Sequence, residues 1–81
     1  MGETFLIARH MGERGTAILK MERREAIKVI RENLGADFQL AILGGKNINA
    51  VQRVYGEYAP YYSVDSLEGL FSYVKKKAMH N

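Results

Sequence analysis

At 81 residues, with 47% hydrophobic and 26% charged side chains, the chain can build one hydrophobic core and is too apolar to be disordered. It contains no cysteine, which excludes a disulfide framework and a thiolate zinc site. Its net charge of +3 permits an anionic partner without requiring one.

No apolar run approaches the roughly 20 residues that span a bilayer. The N-terminus shows no basic region followed by an apolar stretch, so no secretory signal is read there. Met1-Gly2 does not open a myristoylation motif, because Leu6 stands where Ser or Thr is needed. The expected setting is the cytoplasm, with no membrane partner.

In chain order, Thr4-Phe5-Leu6-Ile7-Ala8-Arg9-His10 is β-prone and reads as a first strand. Gly12-Glu13-Arg14-Gly15 supplies a tight turn, and Thr16-Ala17-Ile18-Leu19-Lys20-Met21 returns as an antiparallel second strand. Residues 22–34 carry the clearest helical periodicity. Ile27, Ile30 and Leu34 make its apolar face, widened by Ala26 and Val29, with Glu22 and Glu25 at the positive end of the dipole. Gly35 follows as a left-handed C-terminal cap.

Phe38-Gln39-Leu40-Ala41-Ile42-Leu43-Gly44-Gly45 is the most apolar stretch and reads as a strand through the middle of the sheet. Residues 48–55 fit two patterns. As a strand they follow a hairpin turn through Gly44-Gly45-Lys46-Asn47. As a helix they place Ile48, Val51, Tyr55 and Tyr58 on one stripe with Asn47 as cap. The strand is preferred, since Gly56 interrupts the helical pattern. Ala59 must be extended before Pro60. Asp65 and Glu68 then read as a capping box for a last helix that buries Leu67, Leu70, Phe71 and Val74, with Lys75-Lys76-Lys77 in its final turn. Residues 79–81 are expected to fray. The expected fold is thus a single α+β domain over residues 1–81: a small antiparallel sheet with two helices on one face, in the order ββαββα.

Ile42-Leu43-Gly44-Gly45-Lys46-Asn47-Ile48-Asn49-Ala50-Val51-Gln52 resembles the G-x-x-G region of KH domains. The resemblance implies a loop that clamps a nucleic-acid backbone and a following helix presenting Ile48 and Val51. Ile42 departs from it, standing where the first glycine of that loop would fall. A plain hairpin turn is the reading carried forward.

Covalent catalysis needs a nucleophile beside a positioned base. His10 and His80 are the only histidines, and no local motif gives either a partner. No catalytic residue is named, and neither a metal nor a cofactor is expected.

Two groups of side chains suit binding instead. Tyr55, Tyr58, Tyr61 and Tyr62 crowd into eight residues stiffened by Pro60, with Arg53 beside them, a composition suited to protein interfaces. Lys20, Arg24, Lys28 and Arg31 recur at helical spacing, flanked by Arg23 and joined by Lys46, a set suited to phosphates. The expected function is a small non-catalytic protein that docks on a protein or nucleoprotein partner through the tyrosines. In size and economy it is similar in style to inhibitors encoded by phages and mobile elements. The alternative is a stand-alone RNA- or DNA-binding domain that uses the cations.

Overall fold

The computed structural model describes residues 2–10, 14–36 and 38–78, with side chains as far as residue 75. The elements run β1 (Glu3–His10), β2 (Thr16–Lys20), α1 (Arg23–Glu32), β3 (Phe38–Gly45), α2 (Ile48–Val54), a 3-10 turn (Gly56–Tyr58), β4 (Tyr61–Ser63) and α3 (Leu67–Ala78). The Gly12-Glu13 part of the expected first turn and the residues 79–81 expected to fray lie outside the described residues.

β1 and β2 pair antiparallel, as the sequence predicts, with Leu6 opposite Leu19 and Ala8 opposite Ala17. The sheet is mixed and its order is β3-β1-β2-β4. β3 pairs antiparallel with β1 along its whole length, and β4 pairs parallel with β2. The most apolar stretch therefore forms an edge strand. The centre belongs to β1, whose Phe5, Leu6, Ile7 and Ala8 are all buried. A strand covered on both faces reads as a continuous apolar run without alternation. β1 satisfies that pattern as well as β3 does, which is why composition alone misplaced the centre.

Because successive strand residues point to opposite faces, β1 feeds two cores. Leu6 and Ala8 join Ala17, Leu19, Ala26, Val29, Leu70 and Val74 beneath α1 and α3. Phe5 and Ile7 join Ile18, Leu43 and Val51 beneath α2 and the 3-10 turn. The expectation of helices on one face only is thus corrected. The connection through α1 travels from β2 to β3, and the one through α2 travels back from β3 to β4. Two right-handed crossovers that travel in opposite directions must lie on opposite faces of a sheet.

The region 48–55 is helical rather than a strand, which corrects the order to ββαβαβα. Asn47 decides it locally: its side-chain oxygen accepts the Ala50 N–H at 2.9 Å, closing the first turn. Gly44 and Gly45, the presumed hairpin turn, are still paired with Thr4 and Glu3. A β-carbon on Gly45 would lie 2.6 Å from a methyl of the buried Val51. That glycine is therefore what lets α2 fold back tightly on the strand it leaves.

Two helix details also shift. On α1, Ala26 and Val29 are buried, whereas Ile27 is 38% and Leu34 77% exposed, so the apolar face is rotated from the expected one. On α3 the cap is Ser66, whose Oγ accepts the Gly69 N–H at 3.1 Å, rather than Asp65. Gly35 does adopt a left-handed φ of 87°, Ala59 is extended, and Leu70 and Val74 are buried, as the sequence predicts.

Two neighbouring glycines separate backbone pairing from helix clearance. Gly45→Ala should destabilise by about 1–3 kcal/mol through the overpacked Val51 contact. Gly44→Ala, whose nearest neighbour would be the Glu3 carbonyl at 3.8 Å, should cost well under half of that. Thermal denaturation of the two variants, giving equal losses, would contradict the packing of α2 on β3.

Candidate binding surfaces

The tyrosine segment lies at the β4 edge. Tyr55, Tyr58 and Tyr61 are half-buried and pack against the lower core beside Phe5, Ile18 and Val51. The Tyr61 hydroxyl donates to the Tyr55 carbonyl at 2.5 Å. The buried Thr16 hydroxyl donates to the Tyr58 carbonyl at 2.7 Å, tying the 3-10 turn to β2. The Arg9 guanidinium sits over the Tyr58 ring, 5.4 Å from its centroid. These three rings thus seal the sheet face that α2 is too short to cover.

Strand alternation sends Tyr62 to the other face. Its ring lies 5.4 Å from that of Tyr73 on α3, and it remains 49% exposed. The four tyrosines therefore do not form one patch. Arg53, in the last turn of α2, is exposed.

The cations divide as well. Lys20 is at the end of β2, not on the helix, and its ammonium pairs with Glu3 at 2.6 Å. Lys46 is exposed in the short link between β3 and α2. Arg23, Arg24, Lys28 and Arg31 are exposed and come together on the outer side of α1. Among the described residues none of these four makes an ion pair. At about 100° per residue they span one side of the helix, with Glu25 and Glu32 bordering it next to Lys28, three and four residues away.

Ile27 lies among these cations and lines a shallow surface groove with them. Sequence periodicity assigned it to the core; the signal against that was the all-basic company at positions 23, 24, 28 and 31. Of the loop implied by the resemblance to KH domains, Gly44 and Gly45 are strand residues, so only Lys46 and Asn47 separate β3 from α2. The following helix is present, with Val51 buried inside it rather than offered to a ligand.

Among the described residues, no three His, Asp or Glu side chains come together as a metal site. His10 ends β1, half-buried and paired in register with Phe38. Among the same residues no helix is long and apolar enough to cross a membrane.

The model of a family of unknown function (DUF6718) matches residues 1–77, and the chain belongs to that family. No match to it is found among the curated proteins.

One phenol offers a pH test of the lower seal. Burial first, then the Glu57 carboxylate and the Tyr58 and Tyr55 phenols, push the Tyr61 phenol above its ordinary value of 10.0. The neutral form is the one the fold favours. Its contribution should be intact below about pH 10 and lost as pH rises through the raised value. Denaturant unfolding at several alkaline pH values should show this fall, and Tyr61→Phe should flatten it. An unchanged slope in Tyr61→Phe would mean that this phenol does not hold the seal.

Proposed function

We propose that this member of a family of unknown function is a non-catalytic binding protein that docks, through the outer face of α1, on a polyanionic partner: nucleic acid or a nucleoprotein. The observation that carries the reading is the segregation of Arg23, Arg24, Lys28 and Arg31 onto one exposed helical side, with no ion pair to any of them among the described residues. Exposed cations gathered on one helical side add their fields toward a partner, with Glu25 and Glu32 offsetting them only beside Lys28. Ile27 between them adds an apolar contact that a merely solvated charge row does not need.

Docking on a protein through the tyrosine segment has narrower support. Tyr62 and Arg53 are its exposed members, while Tyr55, Tyr58 and Tyr61 are engaged beneath the sheet. The cationic face therefore leads.

Binding of fluorescent RNA and duplex DNA oligonucleotides across a salt series tests the proposal. Four phosphate contacts should give a log–log salt slope of about −3 to −4. Arg24→Ala with Lys28→Ala should reduce that slope by about 2 and weaken binding at least about tenfold. Both side chains are exposed, so the melting temperature should hold. Absence of binding at about 50 mM salt, or binding untouched by the double substitution, would overturn it.

A further inference from the structure

The two edges of the sheet are built differently. β4 is three residues long and follows a proline, so its edge is short and lacks one donor. β3 is eight residues long, contains neither charge nor proline, and pairs with β1 in unbroken register from Glu3 opposite Gly45 to His10 opposite Phe38. Bulges, charges and prolines are how proteins protect a free edge. β3 has none of them.

The phase of the ladder shows which groups are free. The Met21 N–H donates to the Thr4 carbonyl at 3.1 Å, so the even residues of β1 aim their backbone groups at β2. The odd ones, Phe5, Ile7 and Arg9, meet Leu43, Ala41 and Gln39 on β3. The N–H and C=O groups of Phe38, Leu40, Ile42 and Gly44 consequently point away from the sheet, and among the described residues no other strand meets them.

Exposed apolar side chains stand near this edge. Of the exposed large hydrophobic side chains Ile27, Leu34, Val54 and Tyr62, the first three lie on or just beyond the two helices that pack against β3. Leu34 joins Ile30, Phe38 and Leu40 around a cleft between the end of α1 and the start of β3.

We propose that β3 is a homodimer edge, pairing antiparallel with β3 of a second copy about a two-fold axis at Ala41. In that register Leu40 pairs with Ile42 of the second copy and Phe38 with its Gly44, so every outward backbone group between 38 and 44 is satisfied. No other symmetric register does this. Leu40 and Ile42 of both copies then share the face beneath α1. Strands about 4.8 Å apart, with α1 lying over β3 and β1, put the two α1 helices roughly 10 Å apart, the spacing of packed helices. A strand about 27 Å long, with helix flanks above and below, buries on the order of 1,000 Å² in total. That reaches the lower bound for a specific interface. The strand seam itself carries no charged residue. Arg24 and Lys28 stay outward, whereas Arg23 and Ile27 share the helical flank of Leu34, so the dimer seam adjoins the cationic face.

Sedimentation across a wide concentration range, paired with residue-resolved amide exchange, tests the proposal. The chain should sediment as a dimer at high concentration. Leu40 and Ile42 amides should become protected with dimerisation, while Ala41 and Leu43, bonded to β1, should stay protected at every concentration. Leu34→Lys, at an exposed position, should weaken dimerisation at least about tenfold with an unchanged melting temperature. A monomer at about millimolar concentration, a dimer that leaves Leu40 and Ile42 exchanging freely, or protection of those amides only by a peptide from another protein would each overturn it.

Discussion

Burial of β1 on both faces is the constraint from which the architecture follows. Phe5 and Ile7 on one side, and Leu6 and Ala8 on the other, are each 1% exposed or less. Leaving either pair in water would forfeit about 1.5–3 kcal/mol for each large side chain, a sizeable part of what so small a domain has to lose. One helical layer covers one face only. The chain therefore needs a second, and α2 with the 3-10 turn supplies it in the passage from β3 across to β4.

That second layer explains the tyrosines. α2 spans Ile48–Val54 and contributes Val51 as its buried residue, too little to close a face that also carries Ile18 and Leu43. Large rings with a polar tip can cover apolar surface while satisfying backbone carbonyls. Tyr61 does so toward Tyr55, and the Thr16 hydroxyl holds the Tyr58 carbonyl from the sheet side. An aromatic cluster that resembles an interface in sequence is spent largely on the protein's own interior. Exposed cations collect on the outer side of α1, away from the buried Ala26 and Val29, with Ile27 exposed among them.

The family match adds membership without an activity, so the functional reading rests on surface chemistry. Two features of that surface stand out physically: a row of exposed positive charge on a helix, and an unprotected strand edge flanked by exposed apolar side chains. They adjoin along α1, where Arg23 and Ile27 share the helical flank of Leu34.

Local chemistry in the sequence was enough for the first hairpin, for α1 and α3, for the glycine cap at Gly35 and for the extended Ala59, because propensity, capping and proline sterics act over a few residues. It also carried both readings of residues 48–55, and the Asn47 cap that decides between them was visible as a candidate. What it did not contain was the order of strands: β1 and β3 have nearly the same apolar signature, and which one lies inside depends on where β2 and β4 pair. The same holds for exposure, since Ile27 and Leu34 fit a helical stripe as well as Ala26 and Val29 do. Only the docking of α1 on the sheet selects the buried side, because burial is a property of neighbours brought from far along the chain and not of the residue itself.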